Sequence, residues 1–222
     1  LMAVLPNLEM MRQKVPDGDP LERHIDAPEN SARRAADLSN LMLAYVGQNE
    51  IDPRVVELNH TLSEVVDVLK ATVAEKVTLI LTPPESEAWV RADSGKVCQA
   101  VTNLVTHSVK AAGDQPLEIR LSVGGRRCDA AQLARLSPGE NLPEGRYISL
   151  RVSDNGQGMD QETLEKVFDP FFTTKFTGRG LGMATVMGIM RLHRGGVRID
   201  SRLDGGAAVT VYFPEHKQSG SS

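Results

Sequence analysis

An α+β fold, a sheet with helices packed over one side, is predicted by three observations. Beyond Asp52-Pro53, segments of helical and of strand periodicity alternate along the chain. Two strand segments, 117–123 (Leu-Glu-Ile-Arg-Leu-Ser-Val) and 147–153 (Tyr-Ile-Ser-Leu-Arg-Val-Ser), alternate apolar and polar residues, the mark of a sheet wet on one face. The other face of such a sheet needs helices over it, which gives a two-layer sandwich. Apolar residues at 41% suffice for a core, and aromatics at 4% mean that it must be largely aliphatic.

The elements follow in order. Residues 1–14 carry Leu1, Val4, Leu5, Leu8 and Met11 on one helical stripe, with Pro6 either in a first turn or at a kink. Residues 15–28, with three prolines and a glycine, read as a connection. A second helix is predicted over 31–47 from the spacing of Ala32, Ala35, Leu38, Met42 and Tyr45. Together they form an antiparallel helical hairpin over residues 1–50, whose apolar seam asks for a second copy, as half of a dimeric four-helix bundle.

The main domain is expected over 53–216. Its predicted elements are a helix near 58–74, strands 77–81 and 88–91, a helix 94–112, strands 117–123 and 147–153, and a helix 160–166. A long loop, a helix 182–193 and strands 197–201 and 207–213 complete it. Residues 124–146 read as an elaborated hairpin connection and 217–222 as a disordered tail.

Bulk properties exclude several functions. A formal charge of −4 with scattered basic residues argues against nucleic-acid binding. No apolar run is long enough to cross a membrane, so no membrane contact is expected from this stretch. Cys98 and Cys128 have no metal or redox spacing, Cys98 reads as a buried helix residue, and the pair fits a reducing, cytoplasmic compartment. The opening Leu1-Met2-Ala3-Val4-Leu5 is already helical in character, so the chain reads as part of something longer, whose parent protein is free to be membrane-anchored elsewhere.

Three constellations carry chemistry. On the helix 94–112, Asn103, His107 and Lys110 lie at i, i+4 and i+7 and share one face, opposite Val97, Val101, Leu104, Val105 and Val109. Taken alone, that pattern reads more simply as an amphipathic helix with a solvated stripe. Asp154-Asn155-Gly156-Gln157-Gly158 follows a strand directly. Its acid can accept a hydrogen bond from an exocyclic amine such as that of adenine, and its glycines allow close approach of a ligand. In isolation it reads equally as an Asn-Gly turn. The third runs from Phe168 to Met183 and holds four of the five phenylalanines. Glycines there lead into a helix, whose free N–H groups attract phosphate, and Lys175 and Arg179 add positive charge. It reads as a phosphate-facing loop with an aromatic hinge. The P-loop, dinucleotide-binding and protein-kinase signatures are not matched.

In order and separation these segments resemble the N, G1, F and G2 boxes of the sensor histidine kinases of two-component systems. Asn103-Leu104 opens the N box, Asp154 to Gly158 is the G1 box, Phe168-Asp169-Pro170-Phe171-Phe172 the F box, and Gly178-Arg179-Gly180-Leu181-Gly182 the G2 box. The short lid most resembles that of PAS-linked and hybrid sensor kinases. The resemblance implies a Bergerat-type sandwich, shared with type II topoisomerases, certain chaperones and mismatch-repair ATPases. It also implies ATP with Mg²⁺, phosphoryl transfer to a histidine, relay to a response-regulator receiver aspartate, and a homodimer through the hairpin. By position, Asp154 would bind the adenine amine, Gly156 and Gly158 would shape its pocket, and Lys110 would contact phosphate. Thr174, Lys175, Gly178, Arg179, Gly180, Leu181 and Gly182 would wrap the triphosphate, and Asn103 and His107 would face the metal.

Two departures follow. The family N box reads N-L-x-x-N-A and its second asparagine gives an oxygen to Mg²⁺. Here that position is His107, and Ser108 replaces the alanine. Imidazole suits Mg²⁺ poorly, so weakened Mg·ATP binding is expected, beside the plainer reading that water completes the metal shell. In the kinases this chain resembles, the acceptor histidine lies in the first hairpin helix, followed closely by a segment like Leu1-Met2-Ala3-Val4, so it is expected upstream of Leu1, and His24 falls in the connection. Asn103 stands where sister ATPases carry a general-base glutamate, and an amide can orient but not abstract a proton. The leading expectation is therefore a kinase core. A degenerate kinase or phosphotransfer scaffold and a Bergerat ATPase of another class are the alternatives.

Overall fold

The computed structural model describes residues 4–12, 14–16, 19, 21, 24–29, 31–32, 35, 51–112, 115–137, 142–173 and 180–217. Two compact units, Leu1–Asn49 and Glu50–Ser222, make up the chain.

In the first unit, α1 (Val4–Arg12) has Pro6 in its first turn, where the missing N–H costs nothing. The Asp19 carboxylate accepts the Leu21 N–H, and the N–H groups of His24 and Ile25 bond back to the Leu21 carbonyl. Helix therefore starts again at residue 24, inside the segment expected to be a connection, and His24 is exposed on it. Arg12 lies 3.4 Å from both Asp26 and Glu29. Most of the second predicted helix, over 31–47, lies outside the described residues.

The second unit opens with β1 (Arg54–Glu57), which sequence reasoning missed, and continues into α2 (Leu58–Lys70), β2 (Val77–Leu81), β3 (Trp89–Ala92) and α3 (Ser94–Ala111). Then come β4 (Leu117–Cys128), α4 (Ala130–Leu133), β5 (Gly145–Asp154), α5 (Gln161–Lys166), α6 (Gly182–Leu192), β6 (Gly196–Ser201) and β7 (Ala207–Pro214). β1 and β3 form an antiparallel pair, and the main sheet has the order β2-β4-β5-β7-β6. Only β2 and β4 run parallel; the other neighbours in the main sheet are antiparallel.

Period-2 alternation sends Leu117, Ile119 and Leu121 of β4, Ile148, Leu150 and Val152 of β5 and Val209, Val211 and Phe213 of β7 into one aliphatic core. Leu58, Leu62 and Val66 of α2, Val97, Val101, Leu104 and Val105 of α3 and Val186, Ile189 and Met190 of α6 complete it. The opposite face of the sheet is not uniformly wet. Tyr147 and Tyr212 point outward and are covered by Cys128, Leu133 and Leu136, a second small core.

The central strands also run further than predicted, β4 to Cys128 and β5 from Gly145. Past Gly124 they are joined by backbone pairing, as in Gly124 with Ser149 and Arg126 with Tyr147, so their hydrophobic alternation stops while the ladder continues. Between them, α4 starts with a reciprocal cap: Asp129 accepts the Gln132 N–H at 2.8 Å, and the Gln132 side chain accepts the Asp129 N–H at 3.2 Å. After α4, Ser137 and Val197 exchange two backbone hydrogen bonds of 2.8 Å, which ties the connection to the outer edge of β6.

His193 ends α6 and is buried. Its Nδ1–H donates to the Ile189 carbonyl at 2.7 Å, and its Nε2 accepts the Asp93 N–H at 3.0 Å. Burial holds its pKa below the ordinary 6.5, so the ring is neutral. Asp93 in turn caps α3 by accepting the Lys96 N–H at 3.1 Å, so the end of α6 and the start of α3 share one hydrogen-bonded joint. Cys98, expected to be buried, is only half-buried, because it sits on the shoulder of α3.

Candidate functional site

The site gathers around the end of β5, where Asp154 leaves the sheet beside the last turns of α3. Each oxygen of its carboxylate is held. Oδ1 accepts the N–H of Gly156 at 2.9 Å and of Ala207 at 3.3 Å, while Oδ2 accepts the Ser108 hydroxyl at 2.6 Å. Ser108 is 4% exposed, on the apolar side of α3. Asn103 and His107 are half-buried and Lys110, in the last turn, is exposed. His107 and Lys110 both have interaction partners.

The glycines of the loop after Asp154 have separate reasons. Gly158 has φ +67, and a Cβ there would fall 1.9 Å from the Arg202 carbonyl oxygen. Gly156 needs no left-handed backbone; a Cβ there would meet the Ala111 oxygen at 3.2 Å and the Asp154 carboxylate at 3.0 Å. The loop is thus pressed between the end of α3 and the β6–β7 turn. Gln157 donates its N–H to the Ala111 carbonyl and accepts from the Asp204 N–H, at 3.3 and 2.6 Å. Ser201 Oγ accepts the Met159 N–H at 2.9 Å and donates to the Gly206 carbonyl at 2.8 Å. Gly206 itself has φ +74, with the Asp154 carbonyl oxygen 2.0 Å from where its Cβ would be.

In the third constellation, the Phe171 N–H donates to the Gly180 carbonyl at 2.9 Å and joins the two ends of the segment between them. Gly180 has φ +63, and Phe171 backbone occupies the space that a side chain would need. Of the predicted lid residues, Thr174, Lys175, Gly178 and Arg179 lie outside the described residues. Leu181 precedes α6 and makes no side-chain cap, so among the described residues no capping side chain claims the N–H groups of the first turn. Asn103 Oδ1 would be 3.9 Å from a Cβ on Gly182, which puts its amide beside that helix start.

The predicted residues therefore meet in two clusters: Asp154 with Gly156 and Gly158, and Asn103 with Gly182. Sequence reasoning noted Ser108 only as a replacement in the N box and missed its bond to Asp154, and it missed Ser201, Gly206 and Ala207. A hydroxyl on the apolar side of a helix was the available signal for Ser108; the others depend on a turn 47 or more residues from Asp154, and no local signal marks them. For a metal, the two side chains offer one amide oxygen and one imidazole. Among the described residues no group of three or more His, Cys, Asp or Glu could hold an ion. Asn103 fits a hard, oxygen-seeking cation and His107 does not.

A family model described as histidine kinase-, DNA gyrase B-, and HSP90-like ATPase matches residues 92–217. The chain belongs to that family. Membership of this ATPase family bears out the Bergerat-type sandwich. The chain is 30% identical over 216 residues to "Sensor kinase CckA" of Brucella abortus, a match that takes in 96% of this chain and 22% of that protein. It is 28% identical over 195 residues to "Sensory histidine kinase/phosphatase NtrB" of Rhizobium leguminosarum bv. phaseoli, over 87% of this chain and 49% of that one. These names bear out the resemblance to sensor histidine kinases read from the four boxes. The crystal structure of full-length ShkA in complex with AMPPNP has a TM-score of 0.67 and covers 98% of this chain and 43% of that one. At 19% identity that likeness is one of fold. The chain thus spans less than half the length of each of these relatives. Among the described residues no helix is long and apolar enough to cross a membrane.

Proposed function

We propose that the chain is the ATP-binding core of a cytoplasmic sensor histidine kinase, which transfers the γ-phosphoryl of ATP to a histidine for relay to a receiver-domain aspartate. The supporting observation is the held carboxylate of Asp154, with acceptor capacity left on Oδ2, bonded to α3, whose Asn103 lies beside the start of α6, a helix start that Leu181 leaves without a side-chain cap. Asp154 accepts the adenine amine, and Gly156 and Gly158 let the loop lie close to the base. The first turn of α6, with Gly180, Leu181 and Gly182, faces the phosphates, aided by its dipole. Lys110 neutralises phosphate charge, as do Lys175 and Arg179, and Thr174 and Gly178 belong to the same cover.

Mg²⁺ bound with the nucleotide would offset charge on the phosphate oxygens, with Asn103 as its oxygen donor from α3. His107 serves the phosphates rather than the ion. Transfer breaks the bond from the γ-phosphorus to the ADP oxygen and forms one to an imidazole nitrogen. Such a loose transition state needs positioning and charge neutralisation more than a base. Asn103 supplies orientation and no proton acceptor, which suits transfer to histidine over hydrolysis.

Residues 1–50 act as the dimerising hairpin that precedes the 53–216 domain in the chain. The exposed Val4, Met10 and Met11 of α1 are apolar surface available to a second copy. Calorimetry with ADP tests the reading. The wild-type chain binds, and Asp154→Asn, which turns an acceptor into a partial donor, binds at least about tenfold more weakly. Equal affinity of the two would overturn it.

A further inference from the structure

We propose that Ser108 is a positioning residue that leaves the Asp154 carboxylate one free acceptor direction, and by this selects adenine over guanine nucleotides. The inference rests on the adenine reading of Asp154 and goes one residue beyond it. A carboxylate has about four lone-pair directions, two on each oxygen. On Oδ1 both are used, by the N–H groups of Gly156 and Ala207 at 2.9 and 3.3 Å. On Oδ2 the Ser108 hydroxyl takes one at 2.6 Å, which is short enough for a charge-assisted bond. Among the described residues, one direction remains.

Ser108 is suited to fix that count. It is buried at 4%, so bulk water does not compete for Oδ2 from that side. A helical serine usually returns its hydroxyl to the carbonyl four residues back. This one instead crosses 46 residues of sequence to reach Asp154. The bond closes a ring of protein donors that stops the carboxylate from rotating, since any rotation breaks at least one of the three.

The single direction matches one hydrogen of an exocyclic amine, which is what adenine presents. Guanine presents a carbonyl at that edge and, beside it, a ring N–H and an amine that together want both oxygens of a carboxylate. With Oδ1 saturated and Oδ2 half taken, a guanine in this site leaves at least one buried N–H without an acceptor. That is a substantial penalty where water is excluded.

Calorimetry of ADP and GDP on the whole chain tests this. The wild type prefers ADP by at least about tenfold, the cost of one unmatched donor. Ser108→Ala frees the second direction on Oδ2 and lets the carboxylate turn, so the ADP-to-GDP ratio narrows to below about threefold. Ser108→Cys, nearly isosteric and with only a weak S–H donor, narrows it likewise and separates loss of the donor from loss of volume. A merely structural serine would lower both affinities together and keep the ratio. A ratio unchanged from wild type in both variants overturns the proposal. Asp154→Asn tells the two readings apart. If it binds ADP like wild type, the adenine reading itself fails. If it loses ADP while both Ser108 variants keep the wild-type ratio, only the role of Ser108 fails.

Discussion

Gly206→Ala is expected to damage stability and nucleotide binding together. The backbone of Gly206 is left-handed, at φ +74. Holding an alanine there costs about 1–2 kcal/mol. The added methyl would also fall 2.0 Å from the Asp154 carbonyl oxygen and 3.2 Å from Asn155 Cα, and these are backbone atoms that no rotamer change can remove. Overpacking of this kind costs about 1–3 kcal/mol, so the substitution destabilises by about 2–5 kcal/mol. For a chain of this size each kcal/mol lowers the melting temperature by about 2–4 °C, and the expected drop is about 4–20 °C. The strand end that must yield carries Asp154, so ADP affinity falls as well. Gly124→Ala is the matched control. No atom lies within 4 Å of its added methyl and its φ is unremarkable, so it should melt within a degree or two of wild type. Thermal denaturation followed by circular dichroism, with calorimetry of ADP on the folded variants, reads both effects. A Gly206→Ala chain that melts and binds like Gly124→Ala would show that the turn is not braced against Asp154 in the way described.

Two further outcomes follow from histidines. His107→Asn restores an oxygen donor beside Asn103, and ADP should bind more tightly to it in Mg²⁺ than to wild type, with the gain absent when EDTA replaces the ion; equal affinities in Mg²⁺ would contradict this. His193 is buried and neutral with its pKa below 6.5, so the unfolded chain binds the proton more readily than the folded one. Stability at neutral pH is therefore complete, and it falls as pH drops from about 6.5 toward the lowered folded value. Urea denaturation should show that acid limb in wild type and lose it in His193→Gln; an identical slope in both would rule the residue out as its source.

The helices and strands that frame the site were legible because each buries a face over enough residues to set a period. α3 is the clearest, with its apolar side repeating from Val97 to Val105. β1 was not legible, since Arg-Val-Val-Glu carries no alternation and its four residues are held by pairing with β3. The expected wet face of the sheet failed for a different reason. The alternation of 147–153 read as a sheet wet on one face, yet the connection after β4 folds over Tyr147 and Tyr212 on that face, and its four-residue helix is too short to show a period. At the site, the carboxylate and the glycines were visible as chemistry beside a strand end. What orients them was not. Ser108 and Ala207 reach Asp154 only through the packing of α3 and β7 against β5, and a single chain of letters carries no sign of that meeting.

The pairing of Ser137 with Val197 has a consequence for how copies of this domain coexist at high concentration. A terminal strand normally leaves a row of peptide groups facing outward, an invitation to any other extended chain. Here the domain answers that invitation from within: at this point on β6 both the donor and the acceptor of Val197 are already spoken for. A stray strand seeking to extend the sheet from this side would first have to peel away the segment after α4, and with it the cover over Tyr147 and Tyr212. Association by sheet growth is thereby coupled to the loss of a small hydrophobic cluster, a built-in deterrent to fibre formation.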